Sequence, residues 1–191
     1  MQTRHQDRSA YFEETATSCR NYYLPYIEQH TSLKFGRKCR VMEVGCGIGG
    51  ILSIFAAMGA TVTGIDIHKP SIETAKTLFA ERGLKGTFIC SDIFDYSDTQ
   101  PYDLIILHDA LEHIPEKERL MLHLKSFLKA DGLLYLGFPA WQMPFGGHQQ
   151  MAKNRIIANC PYIHLLPRPL FRFVFRACLL YTSPSPRDRS L

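Results

Sequence analysis

A glycine-rich segment, followed about 20 residues later by an aspartate, is the part of this sequence best suited to chemistry. The segment reads Glu43-Val-Gly-Cys-Gly-Ile-Gly-Gly50, and Asp66 ends the next apolar run. Glycine tolerates a positive φ in a tight turn and lets a ligand touch the backbone without meeting a Cβ. A carboxylate placed like that of Asp66 can hold two ribose hydroxyls. The pattern therefore predicts a site for a nucleoside-bearing cofactor.

Two classes of cofactor fit these glycines. Gly45, Gly47 and Gly50 satisfy the dinucleotide pattern G-x-G-x-x-G, whereas Gly45, Gly47 and Gly49 satisfy G-x-G-x-G. Glu43 favours the second pattern, because a pyrophosphate gains nothing from added negative charge beside its turn. A cationic ligand would gain from it, and S-adenosylmethionine carries a sulfonium and an ammonium. An NAD(P)-dependent oxidoreductase remains the alternative.

Four segments in this order resemble the class I S-adenosylmethionine-dependent methyltransferases, in particular the small-molecule enzymes of the ubiquinone-biosynthesis type. The first is Glu43 to Gly49, an acidic residue followed by x-G-x-G-x-G. The others are Cys90-Ser-Asp-Ile93, the segment from Tyr102 to Pro115 with its Glu-His-Ile, and the segment from Leu128 to Leu136. The match spans about residues 36 to 139. Four ordered motifs are more specific than any single one.

The resemblance implies a set of cofactor-binding residues. Asp92 would accept a hydrogen bond from the adenine amino group, and Ile93 would pack against the adenine ring. His108 and Asp109, at the end of the fourth strand, would line the pocket for the amino-acid end. The complete predicted set comprises Glu43, Gly45, Cys46, Gly47, Gly49, Asp66, Ile67, Asp92, Ile93, His108 and Asp109.

Two histidines are candidates for a general base in methyl transfer to a small-molecule acceptor. The reaction is an in-line displacement, so alignment of the acceptor supplies much of the acceleration and a base adds about 10²–10⁴-fold. His113 adjoins Glu112, and His148 follows two glycines in an aromatic-rich loop. In the alternative interpretation, Glu112 satisfies backbone donors at a helix start and His113 stacks beside the cofactor. No third ligand with clear spacing accompanies them, so no metal is predicted.

Apolar runs predict the elements that position these residues. Strands alternate with helices, which implies a parallel sheet, and Pro70 and Pro115 suit the first turns of helices. The predicted fold is a Rossmann-like, doubly wound, mostly parallel α/β sheet with helices on both faces. Its ligand crevice lies at the carboxyl ends of the strands. The predicted elements are strand 40–45, helix 49–58, strand 61–66, helix 70–82, strand 86–91, strand 102–108, helix 115–129 and strand 133–138.

The core, residues 36–139, is flanked by two further segments. Residues 1–35 predict a cap of one or two amphipathic helices, interrupted at Pro25, whose aromatics pack onto the sheet or, through Tyr11, close the substrate pocket. Residues 140–177 predict a substrate loop and then a basic amphipathic segment. In the loop, Trp141, Met143 and Phe145 would wall an apolar acceptor or, alternatively, cover the sheet end.

The last residues, 178–191, resemble a translated sequencing adapter, Cys178-Leu-Leu-Tyr-Thr-Ser-Pro-Ser-Pro-Arg-Asp188. If this tail is foreign, the domain is truncated after the fifth strand and the helix that follows it. The sixth and seventh strands of the family would then be missing, and the fifth strand would form an exposed edge. An inactive cofactor-binding fragment is therefore a third functional hypothesis.

Composition narrows the remaining classes. A chain of 191 residues with 46% hydrophobic content suits one globular domain. Its 6 cysteines show neither zinc spacing nor a disulfide framework, and the sequence shows neither a signal peptide nor an apolar run of membrane-spanning length, so we expect a cytoplasmic protein. A net charge of +4 gives little support for nucleic acid as a partner. Three arginines of the basic segment, Arg168, Arg172 and Arg176, suggest membrane-surface contact as an alternative to a solvated helix face.

Overall fold

A computed structural model of the chain describes residues 7–138, 142–144, 158–167 and 169–170. The chain divides into two compact units, one from Gln2 to Phe138 and a second comprising Met1 and Pro139–Leu191. Described residues of the second unit include one short 3₁₀ helix, Ile163–Leu165. The predicted residues Trp141, Phe145 and His148, the arginines of the basic segment and the tail 178–191 lie outside the described residues.

The first unit is an α/β domain that opens with three helical segments. Its elements are α1 Arg8–Ser18, a π-helical turn Cys19–Tyr23, α2 Leu24–His30, β1 Arg40–Val44, α3 Gly50–Ala57, β2 Thr61–Asp66, α4 Lys69–Glu81, β3 Thr87–Cys90, a 3₁₀ turn Ile93–Asp95, β4 Tyr102–His108, a 3₁₀ turn Leu111–His113, α5 Lys117–Phe127 and β5 Leu128–Gly137.

The five strands form one sheet in the order β3-β2-β1-β4-β5, and all four pairings are parallel. Apolar side chains are buried on both faces, as a parallel sheet covered by helices requires. Val41 packs in the cluster that includes α1, α3 and α4, whereas Met42 packs in the cluster that includes α5. The predicted Rossmann-like, parallel fold is confirmed, with its change of strand order beside β1.

The strand β5 begins earlier than predicted. The sequence predicts a helix to residue 129 and a strand from 133, but the helix ends at Phe127 and Leu128 is already extended and paired with Tyr102. A register shift follows, because Leu104 pairs with Leu133. Gly132 fits this irregularity, since a Cβ there would lie 2.9 Å from the carbonyl oxygen of Tyr102. Residues 128 to 132 thus belong to an irregular first part of the strand.

The N-terminal cap runs through three consecutive helical segments with a widened turn before Pro25. The backbone N–H of Leu24 donates to the carbonyl of Cys19, five residues back, in place of the usual four. Pro25 has no N–H and occupies the first turn of α2. The predicted interruption is therefore a π-helical turn, and Tyr23 is its last residue.

Close packing holds α1 against α3 and α4. Arg82 of α4 donates to Glu13 at 2.8 Å and lies over the ring of Phe12, with the guanidinium carbon 4.4 Å from the ring centroid. At the start of α3, a Cβ on Gly50 would overlap Thr15 Oγ1 and would lie 2.6 Å from the carbonyl oxygen of Phe12. A glycine at position 50 is thus what allows α1 to approach α3.

Replacing Gly50 with alanine should therefore destabilise the domain. The new methyl group forces α1 away from α3, and overpacking of this kind costs about 1–3 kcal/mol. Urea unfolding should show this loss for Gly50→Ala. The control is Gly36→Ala, where a Cβ would meet no atom within 4 Å. Equal free energies of unfolding for the two variants would contradict this packing role.

Candidate functional site

Three glycines in left-handed conformation form the turn between β1 and α3. The φ angles are 76° at Gly45, 52° at Gly47 and 84° at Gly49, values that other residues adopt only with strain. Gly50 instead begins α3, where its small size serves the packing against α1. The glycines that shape the turn are therefore those of the G-x-G-x-G pattern, and the match to G-x-G-x-x-G comes from a packing requirement.

The turn is supported on one side and open on another. Gly45 and Cys46 both donate backbone hydrogen bonds to the carbonyl of Ile65, at 2.8 and 3.1 Å. A Cβ on Gly45 would lie 2.6 Å from the Cβ of Ala110, so the loop after β4 lies directly against the turn. A Cβ on Gly47 would meet no atom within 4 Å. A ligand could approach the backbone at Gly47.

Asp66 links the glycine turn to the end of β2 and the start of α4. Its Oδ2 accepts a hydrogen bond from the N–H of Gly47 at 2.8 Å, and its Oδ1 accepts one from the N–H of His68 at 2.7 Å. Each carboxylate oxygen keeps a further lone pair for another donor. The predicted ribose contact remains a prediction, and the structure adds a second role, which is to fix the turn.

Glu43 is a buried carboxyl directly before the turn. Its side chain is 3% exposed, and within the described part of the chain Oε2 has no hydrogen-bond partner. Burial raises the pKa of Glu43 well above its ordinary value, and the negative charge of Asp66 raises it further. A positive charge placed nearby would favour the ionised form. The position of Glu43 thus suits a cationic ligand, and its contact with the cofactor remains a prediction.

The raised pKa of Glu43 makes folding stability depend on pH in a defined direction. In the unfolded chain a glutamate ionises at about pH 4.3, whereas Glu43 of the folded chain keeps its proton above that pH. The unfolded state therefore gains from ionisation. The free energy of unfolding falls as the pH rises from about 4.3 toward the pKa of Glu43 in the folded chain.

Glu43→Gln removes this loss, because the amide does not ionise in either state. In urea unfolding, the free energy of unfolding of Glu43→Gln relative to the wild type should increase from pH 5 to pH 8, because only the wild type loses stability as the pH rises. Glu28→Gln, at an exposed position, is the matched control and should not gain. A constant difference between Glu43→Gln and the wild type at both pH values would contradict the assignment.

The predicted adenine contacts occupy different environments. Oδ1 of Asp92 accepts from the N–H of Phe94 at 3.1 Å and caps the 3₁₀ turn Ile93–Asp95. Ile93 is 4% exposed and packs in the core, with its carbonyl bound to Nε2 of His123 at 2.8 Å. Ile67, in contrast, is 53% exposed beyond β2. The contacts of all three with adenine remain predictions.

His108 meets a residue that the sequence did not indicate. Its Nε2 lies 2.7 Å from the hydroxyl oxygen of Tyr23, and the two ring centroids are 4.7 Å apart. On the other side, Nδ1 of His108 lies 3.4 Å from Oδ2 of Asp109. Tyr23 and His108 are separated by 85 positions, and only the aromatic content of the N-terminal cap pointed to that segment.

The loop after β4 contains Glu112 and His113 on a short 3₁₀ turn. Both carboxylate oxygens of Glu112 are buried, and neither has a hydrogen-bond partner among the residues that the structure describes. The alternative in which Glu112 satisfies backbone donors at the helix start is therefore wrong. The side chain of His113 is exposed, and its catalytic role remains a prediction, as does that of His148.

The described residues lack two other kinds of feature, a cluster of metal ligands and a membrane-spanning helix. No group of three or more His, Cys, Asp and Glu side chains there could hold a metal ion. None of the helices among those residues is both long enough and apolar enough to cross a membrane.

Comparison with known proteins places this site within a family. A family model described as a methyltransferase domain matches residues 36–175. The chain belongs to this methyltransferase-domain family. The family resemblance that was drawn from the four sequence motifs is thereby confirmed.

Named members of the family are similar over part of their length. The chain is 39% identical over 119 residues to a ubiquinone biosynthesis O-methyltransferase of Actinobacillus pleuropneumoniae, covering 59% of this chain and 50% of that protein. It is 38% identical over 114 residues to the enzyme of the same name from Coxiella burnetii, covering 59% and 47%. The chain thus spans about half the length of the curated relatives it matches.

A solved structure supports the methyltransferase fold. The S-adenosylmethionine-dependent methyltransferase of Clostridium acetobutylicum superposes with a TM-score of 0.59 at 17% identity, over 74% of this chain and 55% of that one. At this identity the likeness shows the fold alone.

Proposed function

We propose that this chain binds S-adenosylmethionine at the Gly45–Gly49 turn and directs its methyl group to a small-molecule acceptor. The observation that carries the proposal is the left-handed turn, tied to Asp66 and placed after the buried carboxyl of Glu43, whose Oε2 has no hydrogen-bond partner among the described residues. This combination suits a cationic nucleoside better than a pyrophosphate. The relatives named as O-methyltransferases support a hydroxyl oxygen as the methylated atom.

The residues of the chain would bind and align the reactants. S-adenosylmethionine supplies a methyl carbon activated by a sulfonium leaving group. Asp66 would accept hydrogen bonds from the ribose hydroxyls, and Glu43 would favour the positively charged end. His108 ends β4, Asp109 follows it, and the next residue, Ala110, lies against Gly45, so His108 and Asp109 would border the amino-acid end. Alignment of an acceptor oxygen with the methyl carbon would then supply much of the acceleration.

Calorimetric titration tests the choice of cofactor. S-adenosylmethionine should bind, whereas NAD should not. Asp66→Ala should weaken binding of S-adenosylmethionine by about 10- to 100-fold, because the ribose loses its acceptor and the turn loses its tie to Gly47. Asp131→Ala, at an exposed position on β5, is the control and should bind like the wild type. Binding of NAD alone, or unchanged affinity in Asp66→Ala, would contradict the proposal.

Cofactor binding should also release a proton from Glu43. Because burial raises the pKa of Glu43, this carboxyl holds its proton to a higher pH than an ordinary glutamate does before binding, and a cation beside it favours ionisation. Affinity should therefore increase with pH. Titrations in two buffers of different ionisation enthalpy measure the protons released, and Glu43→Gln should lower the number. The same proton count in Glu43→Gln and the wild type would exclude Glu43 as the source.

The identity of the acceptor and the compartment remain predictions. A small hydroxyl-bearing molecule is the acceptor class that the named relatives support. The cytoplasm is the compartment that the cysteine content predicts.

A further inference from the structure

Three polar side chains from two distant parts of the chain meet at the carboxyl end of β4. Tyr23 comes from the π-helical turn, His108 ends β4, and Asp109 follows it. The hydroxyl oxygen of Tyr23 lies 2.7 Å from Nε2 of His108, and Nδ1 of His108 lies 3.4 Å from Oδ2 of Asp109. A phenol, an imidazole and a carboxylate thus lie in a row.

The chemistry of the groups gives this row a direction. A carboxylate only accepts hydrogen bonds, so the Asp109 carboxylate, 3.4 Å from Nδ1, favours the tautomer of His108 that has its N–H at Nδ1. Nε2 is then an acceptor, and the hydroxyl of Tyr23 donates to it. The oxygen of Tyr23 keeps its lone pairs for another donor. The next donor in the row would therefore be a hydroxyl that approaches Tyr23.

Several features of the backbone hold the row in place. Gly137 lies opposite His108 in the sheet, and a Cβ there would lie 2.6 Å from Cδ2 of the imidazole. Asp109 adopts a φ of 51°, a conformation uncommon for residues other than glycine. Tyr23 is the last residue of the π-helical turn, and such turns are frequent at functional sites.

The row also lies beside the proposed cofactor site. Ala110 follows Asp109 directly, and its Cβ would be 2.6 Å from a Cβ on Gly45. The side chain of His108 is 24% exposed and that of Asp109 is 64% exposed, so solvent reaches both. Tyr23 is half-buried. The Asp109 end of the row therefore lies next to the glycine turn and is open to solvent.

Tyr23 is suited to pass a proton on. Burial raises its pKa to about 12, and the nearby Tyr135 and Asp109 contribute in the same direction. The phenol therefore keeps its proton at neutral pH. A group that holds one proton and hydrogen-bonds to a neutral imidazole can accept a second proton only as it gives up the first.

We propose that Tyr23, His108 and Asp109 form a proton relay for a hydroxyl-bearing acceptor, with Tyr23 as the catalytic residue that touches the acceptor. His108 and Asp109 act through Tyr23. This inference rests on the proposed methyl transfer. It adds an N-terminal residue to the site and gives a route for the proton that an O-methylation must release.

The step balances in bonds and charge. The acceptor oxygen forms a bond to the methyl carbon as the bond between that carbon and sulfur breaks, and sulfur keeps the electron pair. The hydroxyl proton of the acceptor passes to the oxygen of Tyr23 while the proton of Tyr23 passes to Nε2 of His108. The resulting imidazolium is stabilised by the carboxylate of Asp109 and afterwards releases a proton to solvent.

The other titratable groups around Tyr23 come from three elements. Cys19 lies on the N-terminal cap, Glu43 on β1 and Tyr135 on β5, where its ring centroid is 5.7 Å from that of Tyr23. Burial raises the pKa of Cys19 to about 12 and raises those of Glu43 and Tyr135. Asp109 supplies the carboxylate beside the imidazole, with its Oδ2 3.4 Å from Nδ1 of His108.

Nuclear magnetic resonance tests the direction of the row without any turnover. Long-range proton–nitrogen spectra of the chain labelled with ¹⁵N-histidine, with His108 assigned by its loss in His108→Gln, should show the Nδ1–H tautomer of His108. Tyr23→Phe should shift the Nε2 resonance, because it removes the donor. A proton on Nε2 in the neutral imidazole would overturn the relay, whatever the outcome for cofactor binding.

Methylation of catechol and of 4-nitrocatechol tests the proton transfer itself. Tyr23→Phe should slow catechol methylation by about 10²–10⁴-fold at saturating S-adenosylmethionine. The loss should be smaller for 4-nitrocatechol, because its nitro group lowers the pKa of the acceptor and less help is needed to remove the proton. If Tyr23 had a purely structural role, Tyr23→Phe would slow methylation of both acceptors equally. That result would overturn the proposal.

A matched control and a second variant complete the test. Tyr26→Phe alters an exposed tyrosine near the same Tyr135 ring, with its own ring stacked on His30, and should methylate catechol like the wild type. His108→Gln should slow methylation of catechol more than methylation of 4-nitrocatechol, because it removes the acceptor for the proton of Tyr23. Equal losses for the two acceptors in His108→Gln would contradict the relay.

Failure of the proposed function has a different signature. A chain that does not bind S-adenosylmethionine in calorimetry disproves the cofactor site, and the tautomer of His108 still reports on the row. If the chain binds the cofactor but methylates neither catechol nor 4-nitrocatechol, the proposed relay for phenolic hydroxyls is wrong.

Discussion

The hydrogen bond from Gly47 to the carboxylate of Asp66 is the contact on which the site depends. It joins the turn after β1 to the end of β2, so it ties together two neighbouring strand ends at the centre of the crevice. The second oxygen of Asp66 binds the N–H of His68 and fixes the approach to α4. Three left-handed glycines make this geometry accessible. A ligand would meet a turn that is already formed, which lowers the ordering cost of binding.

The N-terminal cap belongs to the same arrangement. Gly50 allows α1 to lie against α3, Arg82 binds α1 to α4, and the hydroxyl of Tyr23 meets His108 at the end of β4. The helix that covers one face of the sheet therefore contacts both sides of the crevice. Packing against the glycine segment and a polar contact at the site come from one continuous piece of chain, so the cap serves stability and chemistry together.

Local pattern was enough to predict the parallel sheet, the glycine turn and the position of Asp66. The strands at 61–66 and 102–108 coincide with the predicted ones, because both are apolar runs with clear ends. The early start of β5 was missed, since it depends on a register shift against Tyr102. The pairing of Tyr23 with His108 was also missed, because only folding brings together residues 85 positions apart. The packing of α1 against Gly50 was not predicted for the same reason.

A crystal structure with S-adenosylhomocysteine bound would test the central claim most directly. The account predicts the ribose hydroxyls within hydrogen-bond distance of the Asp66 carboxylate and the amino-acid end beside the turn from Gly45 to Gly47. It further predicts that Gly47 keeps its bond to Asp66 and its left-handed conformation. A ribose bound away from Asp66, or a turn that rebuilds around the ligand, would contradict the account.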